Sequence, residues 1–320
     1  GIPSESGATT INKMCGSGMK SIMFGHDSIK AHQNNIVVAG GLENMTNAPY
    51  ILSKARKGFR MGHADVKDHM FLDGLEDAYE EGKLMGSFAE DTAEHYQFTR
   101  EQQDNFAITS LERAKKANED GTFVSEIVPI KVLNRKNEII INKDEQPFKS
   151  DITKIPTLKP AFRKNGTVTA ANSSSISDGA SSVILMLESE AQKRGIKPLA
   201  RIIDHSTNSQ EPKWFTTAPI GAIEKVLEKS GWKKTDVDLF EVNEAFAVVP
   251  MAVMKDIGIS NDILNIYGGA CALGHPVGAS GTRIVTTLIN ALKKNNLKKG
   301  VASLCIGGGE ATALTLEIIN

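Results

Sequence analysis

The first 45 residues follow a hydrophobic pattern that predicts a loop, a helix and a strand. Apolar residues recur at a roughly helical spacing over residues 17–33, which predicts an amphipathic helix. Residues 36–39 then form a short apolar run that closes at Gly40-Gly41, as expected of a strand buried on both faces.

The same order returns near the end of the chain. Residues 278–281 open a helix-like pattern that continues through Leu292, and residues 301–306 form an apolar, strand-like run closed by the glycines of 307–309. The match favours a weak internal repeat, the trace of a duplicated α/β half. Two unrelated βα units would give the same pattern, so both interpretations stand at this point.

The middle of the chain has a different texture. Helical periodicity over 89–97 and 100–118 alternates with charged, proline-bearing stretches. Residues 125–166 hold nine basic and five acidic residues, a local balance of +4. Such a balance suits docking of a phosphate-bearing ligand, although a solvated loop surface has the same composition. Further on, strands are predicted over 182–187, 200–204 and 237–242, and a helix over 220–229.

Composition narrows the function classes. The 320 residues fit two ordinary domains, or one doubled domain with an insertion. The net charge of −1 argues against nucleic acid as a partner, because phosphate neutralisation needs a basic surplus. The chain is globular, at 40% hydrophobic and 23% charged residues, and no apolar stretch is long enough to predict a membrane span. Three cysteines predict a reducing compartment rather than a disulfide scaffold.

Cys15 is the first candidate for chemistry. It lies within the segment NKMCGSG, at the predicted N-terminus of a helix. Free N–H groups and the positive end of the helix dipole favour thiolate over thiol at such a position. The neighbouring glycines let a substrate approach the backbone closely. The alternative is a small buried hydrophobic residue, which is the usual fate of a free cysteine.

His275 is the second candidate. It lies in a glycine-rich run over 268–281, where packing gives little reason for a histidine, and Pro276 is placed as a first-turn proline of the following helix. The other six histidines have polar or amphipathic surroundings, and we expect them to be ordinary structural or surface residues. They are His26, His32, His63, His69, His95 and His205.

Two more candidates belong to predicted strands. Asn243 and Glu244 follow the strand over 237–242, at the end where open α/β sheets place ligands, although Asn is also a good helix N-cap. Cys305 lies inside an apolar strand, where a structural thiol is the stronger interpretation and a second nucleophile or an acid/base thiol the alternative. Cys271 has no supporting feature. The sequence contains no Cys-x-x-Cys, His-Glu-x-x-His or Gly-x-x-x-x-Gly-Lys spacing, so neither a metal site nor a phosphate loop is predicted.

Taken together, these segments resemble the thiolase family, the acyl-CoA acetyltransferases, along essentially the whole chain. A single Cys-Gly-Ser-Gly would be a weak signal, whereas several motifs in the same order are highly specific. The segments that carry the resemblance are NKMCGSG at 12–18, VAGGLENM at 38–45, GTVTA at 166–170, DGA at 178–180, NEAFA at 243–247, GHP at 274–276 and CIGGG at 305–309.

The resemblance implies a mechanism. Cys15 is similar to the nucleophile that takes the acyl group as a thioester, His275 to its base, and Cys305 to the acid/base thiol that deprotonates a second acetyl-CoA. Asn243 resembles the residue that holds a water in one oxyanion hole, and the N–H groups of Cys15 and Gly307 resemble the other hole. A Claisen condensation of two acetyl-CoA to acetoacetyl-CoA and CoA needs these groups and no permanently bound cofactor or metal, with coenzyme A as substrate.

The resemblance also implies the fold: α/β, with duplicated βαβαβαββ halves in an α-β-α-β-α arrangement and an inserted loop domain that covers CoA. Residues 1–45 with 176–196 would form the N-terminal half, 46–175 the loop domain and 197–320 the C-terminal half. A homodimer or homotetramer is implied, in the cytoplasm or, in a eukaryote, the mitochondrial matrix. The residues expected to contact CoA or the acyl chain are Met85, Lys149, Ser174 and Phe246.

Three features depart from the family pattern. Family members have about a fifth more chain before the nucleophile, so strands and helices of the first half are expected to be absent and the first half truncated. The N-terminus shows no signal peptide, presequence or starting Met, which predicts a processed or truncated chain. Leu84 stands where many biosynthetic acetoacetyl-CoA thiolases have His, and Glu310 follows the glycines in an uncommon ending.

Three alternatives to the acetyl-CoA acetyltransferase stay open. A 3-ketoacyl-CoA thiolase of fatty-acid β-oxidation would use the same residues. A cysteine hydrolase would use Cys15, His275 and Asn243 but would have no need of Cys305. A truncated, non-catalytic thiolase paralogue would bind CoA without becoming acylated.

Overall fold

The structure is a computed structural model that describes residues 1–134 and 137–319. In chain order the α-helices are α1 Ser17–Lys30, α2 Met85–Tyr96, α3 Arg100–Glu119, α4 Gln146–Lys149, α5 Glu188–Lys193, α6 Ala218–Ser230, α7 Val248–Val253, α8 Ala270–Leu273 and α9 Ser280–Lys294. The strands are β1 Ile36–Asn44, β2 Tyr50–Ile51, β3 Lys67–Asp68, β4 Ile130–Asn134, β5 Asn137–Ile141, β6 Asp178–Met186, β7 Ala200–Ser209, β8 Leu239–Val242, β9 Lys299–Ile306 and β10 Glu310–Ile318.

A four-stranded sheet in the order β7-β10-β9-β8 forms the centre of the second half. β10 runs antiparallel to both of its neighbours, whereas β8 and β9 are parallel. The apolar runs predicted for β8 and β9 are buried almost throughout, since helices cover both sheet faces. Val301 and Cys305 pack on the side of α6, and Ala302 and Leu304 pack on the side of α1 and α9.

The helices α1 and α9 form a central layer, with the four-stranded sheet on one side and the antiparallel pair β1–β6 on the other. Glycine allows their backbones to meet near the N-terminal ends. A Cβ on Gly18 would lie 2.7 Å from the Thr282 nitrogen, and one on Gly281 would lie 2.3 Å from the Met19 nitrogen. Both helices therefore begin at the same place in the molecule.

The strand β1 differs from the prediction of a short strand that is buried on both faces. It continues through Gly40 and Gly41 to Asn44, and only one of its faces is covered. Its inner face packs on α1 and α9, but Val38, Leu42 and Ile184 on the outer face are 51%, 73% and 65% exposed. Within the described residues only β6 pairs with β1, and the outer face has no cover there.

Residues 45–177 separate β1 from β6 and pack against the second half. Glu90 of α2 accepts hydrogen bonds from the backbone N–H groups of Thr167 and Val168, which fixes the end of this insertion. The Ser174 N–H then donates to the carbonyl of Ala245 at 3.0 Å. The insertion is thereby joined to the segment that follows β8.

Candidate active site

Cys15 lies in a 3₁₀ turn, Met14–Gly16, that leads directly into α1. The preceding residue, Met14, has φ +48°, a left-handed conformation that costs a non-glycine residue free energy. Ser17 holds the turn, since its Oγ accepts from the Lys13 N–H and donates to the Met14 carbonyl, each at 2.8 Å. Nothing in the local pattern indicated this strained turn, because methionine is an ordinary residue in helices.

The environment of Cys15 disfavours the thiolate form that we expected at this position. Burial raises the pKa of Cys15 to about 11, and the nearby Glu43 carboxylate acts in the same direction. Hydrogen bonds from the backbone N–H groups of Gly307 and of Cys15 itself lower this pKa but are outweighed. Only one of these donors, the Cys15 N–H, belongs to the turn before α1, and the resting group is a neutral thiol that needs a base.

Cys305 lies next to the end of β9 and is fully buried. Burial raises the pKa of its thiol well above the ordinary value, and a negative charge on Cys15, when that thiol is ionised, would raise it further. A Cβ on Gly16 would lie 2.4 Å from Ile306 Cδ1, so the nucleophile turn rests on the end of β9.

His275 follows α8 and precedes α9, and its orientation is fixed by two serines. The Ser175 carbonyl accepts its backbone N–H, and Ser280 Oγ lies 2.5 Å from its Nδ1. Because Ser280 Oγ–H donates to the Pro276 carbonyl at 3.1 Å, its lone pair is left to accept Nδ1–H. This assigns the Nδ1–H tautomer and leaves Nε2 as a basic lone pair.

The His275 imidazole is neutral at physiological pH. Burial lowers its pKa to about 4, and the positive charge of Arg283 adds to this effect.

Pro276 is not in the first turn of α9, since the helix begins at Ser280; its carbonyl instead accepts the Ala279 and Ser280 N–H groups. Ser280 and Arg283 were missed by the sequence reasoning, although a charged residue within the apolar pattern of this helix was a usable signal.

Asn243 directly follows β8, at the predicted strand end, and is completely buried. Its Nδ2 lies 3.4 Å from His275 Nε2. Its Oδ1 is buried and has no hydrogen-bond partner among the described residues, so it can accept from a small donor such as water. Asn243 is not a helix N-cap; Ala247 holds that position for α7.

Glu244 anchors this segment instead of facing the thiols. Its carboxylate accepts from Ser110 Oγ, Asn265 Nδ2 and the Cys271 N–H at 2.7–3.0 Å. Burial raises the pKa of Glu244, while these hydrogen bonds oppose the shift. The anchor fixes α8, and therefore His275, relative to Asn243.

The four residues expected to contact CoA or the acyl chain fall in different surroundings. Met85 begins α2, and its Sδ would lie 3.2 Å from a Cβ on Gly307, so it is beside the thiols. Ser174 pairs with Ala245 through its backbone. Phe246 is 8% exposed and makes edge contacts with Phe162 and Phe215 in the core. Lys149 is on the surface, where it pairs with Glu145.

Family models match nearly the whole chain. The family described as Thiolase, N-terminal domain matches residues 1–189, and Thiolase, C-terminal domain matches residues 196–318. The chain belongs to the thiolase family. The thiolase fold predicted from the sequence is thereby confirmed.

Individual relatives of this thiolase cover nearly all of it. A probable acetyl-CoA acetyltransferase of Dictyostelium discoideum is 50% identical over 99% of this chain and 77% of the relative. The crystal structure of an Ascaris suum thiolase in complex with coenzyme A has a TM-score of 0.94 at 40% identity, covering 99% of this chain and 81% of that one. Human mitochondrial 3-ketoacyl-CoA thiolase has a TM-score of 0.94 at 38% identity, covering 100% and 81%.

The two departures at Leu84 and Glu310 have simple structural roles. Leu84 is the N-cap of α2 and forms a bridge with Glu76. Glu310 begins β10, and its carboxylate forms an ion pair with Lys13, two residues before the nucleophile. In the part of the chain that the structure describes, no helix is long and apolar enough to cross a membrane.

Proposed function

We propose that this thiolase is an acyl-CoA:acetyl-CoA C-acetyltransferase, which condenses two acetyl-CoA to acetoacetyl-CoA and CoA and catalyses the reverse reaction. The observation that carries the proposal is the pair of thiols. The turn that holds Cys15 rests on Ile306 at the end of β9, and the residue before Ile306 is the buried Cys305. A relative named as an acetyl-CoA acetyltransferase and 50% identical supports the substrate.

In the first step, His275 Nε2 takes the Cys15 proton as the sulfur attacks the acetyl-CoA carbonyl carbon. The tetrahedral oxyanion is proposed to form opposite donors that include His275 and a water held by the free Asn243 Oδ1. As the C–S bond to CoA breaks, the CoA thiolate takes a proton from Cys305. Cys15 is left as an acetyl thioester, His275 as imidazolium and Cys305 as thiolate.

In the second step, the Cys305 thiolate removes a methyl proton from a second acetyl-CoA. A thiol with a strongly raised pKa gives a thiolate that is a strong base, as this weakly acidic C–H requires. The enolate carbon attacks the thioester carbonyl, opposite the N–H groups of Cys15 and Gly307. Acetoacetyl-CoA leaves, and the released Cys15 thiolate regains its proton from His275.

Coenzyme A is proposed to lie between the insertion and the second half. Ser174 and Met85 border this junction, and the proposed loop domain, residues 46–175, carries the basic surplus. Phe246 would shape the pocket from the core side, and Lys149 would meet a phosphate after leaving Glu145. The family resemblance further supports a homodimer or homotetramer in the cytoplasm, or in the mitochondrial matrix.

The test is intact-protein mass spectrometry after brief incubation with acetyl-CoA. We expect the wild-type chain to gain one acetyl group and Cys15→Ala to gain none, with turnover reduced by about 10⁴-fold or more because the covalent carrier is lost. Cys271→Ala is the matched control, since that thiol has no proposed role, and should acylate normally. Normal turnover by folded Cys15→Ala would end the proposal, and a folded wild type that binds CoA but never acylates would favour a binding protein.

Substrate length is a second question. The similarity to human 3-ketoacyl-CoA thiolase keeps longer acyl chains as the other candidate. We propose acetyl transfer because Met85 lies close to Gly307 and limits the space beside the thiols. Thiolysis of acetoacetyl-CoA should exceed that of 3-ketoacyl-CoA substrates with longer chains, and a preference for the longer chains would reverse this assignment.

A further inference from the structure

A cluster of three potential metal ligands lies away from the thiols, where α1 faces the edge strand β7. His26 and Asp27 belong to the second half of α1, and His205 belongs to β7. One ligand atom from each residue lies within 4.8 Å of the other two. The proposed acetyl transfer uses none of these residues.

The geometry converges on one carboxylate oxygen. Asp27 Oδ1 lies 3.0 Å from His26 Nδ1 and 2.8 Å from His205 Nε2. The two rings meet edge to face at 5.1 Å. Both histidine side chains are largely buried, at 16% and 13% exposure, whereas that of Asp27 is 57% exposed and opens the cluster to solvent.

We propose that His26, Asp27 and His205 bind one divalent transition-metal ion of the zinc class. Two imidazoles and one carboxylate are a ligand set that such ions accept, with a further position left for water. Ligands about 2.1 Å from a tetrahedral zinc ion lie roughly 3.4 Å apart. The two Asp27–histidine distances, 3.0 and 2.8 Å, are within roughly half an ångström of this spacing, and the exposed Asp27 side chain is free to move outward. The two imidazole nitrogens, at most 4.8 Å apart, must lie at the same spacing when the ion is bound.

The charged groups around the cluster are already paired in part. Asp27 supplies the carboxylate of the cluster, and Lys229, beside His205, is occupied by Asp204 at 2.7 Å and by the His205 carbonyl at 2.6 Å. Lys20 lies about two turns before Asp27 on α1.

His205 lies 178 residues after Asp27, which explains why no metal-ligand spacing was found in the sequence. An ion at this site would tie α1, which begins just after Cys15, to the edge of the four-stranded sheet. Because the ion would bind the folded chain alone, it should raise the thermal unfolding temperature in proportion to the logarithm of its concentration.

Titration of the full chain with Co²⁺, followed by absorption and calorimetry, tests the proposal. We expect one ion per chain and a spectrum without thiolate-to-cobalt charge transfer, which excludes binding at the cysteines. Asp27→Asn and His205→Asn should weaken binding by at least about tenfold, since loss of supporting residues alone costs that much. The control His63→Asn, at an exposed loop histidine, should bind as the wild type does.

Asp27→Asn keeps the shape of an exposed side chain and guards against a variant that fails to fold. Zn²⁺ should raise the unfolding temperature of the wild type but not that of Asp27→Asn. The proposal is overturned by the absence of saturable binding, by a thiolate band in the cobalt spectrum, or by equal affinity in Asp27→Asn. Acetyl uptake at Cys15 should be the same in Asp27→Asn and the wild type, so this result is separate from the proposed function.

Discussion

Two units of one helix and two antiparallel strands form the centre of the molecule, and they differ in how their strands are joined and covered. In α1-β1-β6, residues 45–177 separate the strands, and the outer sheet face is exposed. In α9-β9-β10, three glycines join the strands, and both faces are buried. The same local pattern therefore gives an open scaffold for an insertion in one half and a closed core in the other.

The residues of the proposed chemistry are distributed unequally between these two units. The open unit supplies only Cys15, at the start of its helix. The closed unit supplies Cys305 and Gly307 at the end of β9, with His275 just before its helix. Acid/base groups need a fixed orientation, and the closed unit provides it through burial and the hydrogen bonds of Ser280.

The largest effect should come from separating the roles of the two thiols. Cys305→Ala should still gain an acetyl group at Cys15, but more slowly, because the departing CoA thiolate must then take its proton from water. Condensation should fall by about 100- to 10,000-fold because the base for the second acetyl-CoA is missing. Mass spectrometry measures the first step, and acetoacetyl-CoA formation measures the second.

A hydrolase would respond differently to the same variant. If Cys305→Ala releases acetate from acetyl-CoA at the wild-type rate and the wild type forms no acetoacetyl-CoA, the molecule is a cysteine hydrolase. Cys271→Ala again serves as the control, because it removes a partly buried free thiol outside the proposed chemistry.

The sequence predicted this comparison only in part. The order of helix, strand and glycines in both units, the strand end at Asn243, and the helix start at Cys15 all depend on local periodicity and turn residues, and each was predicted. The left-handed Met14, the tautomer imposed by Ser280 and the cluster of His26 with His205 depend on contacts between distant segments. Local patterns carry no information about such contacts.

The prediction of a thiolate at Cys15 was wrong for a related reason. Of the two N–H donors to the sulfur, the Gly307 N–H comes from the end of β9 and only that of Cys15 belongs to the turn that leads into α1. The burial of this turn depends on β9, and Glu43 adds a negative charge; the local pattern reveals neither. Burial raises the pKa of Cys15 by more than the N–H donors lower it, and the prediction considered the donors alone.

A matched pair of substitutions, one in the core and one on the surface, tests whether β9–β10 is buried on both faces while the outer face of β1–β6 is exposed. Leu314 of β10 is fully buried, and Ile184 of β6 is 65% exposed on the outer face. Leu314→Ala should lower the free energy of unfolding by about 2–5 kcal/mol, because it removes apolar contacts and leaves a cavity. Ile184→Ala should change it by no more than about 0.5 kcal/mol.

Urea unfolding of both variants measures this difference. Comparable losses would mean that the outer face of β1–β6 is covered in solution, and the contrast between the two units would then disappear. Sedimentation of the wild type at the same concentration would show whether a second copy provides that cover.

The smallest effect concerns pH and belongs to the closed unit alone. The folded-state pKa of His275 is about 4, below its ordinary value of 6.5, so the unfolded chain binds more protons between these values. Stability from this residue is present above pH 6.5 and is lost as the pH falls toward 4. Between pH 7 and pH 5 the free energy of unfolding should fall by about 2 kcal/mol.

Unfolding of the wild type and of His275→Gln at both pH values measures this fall, since residue 275 of the variant cannot titrate. An equal pH dependence in the two proteins would show that the imidazole is not held neutral by burial and by Arg283, and the base proposed for Cys15 would then lack its free lone pair at pH 5.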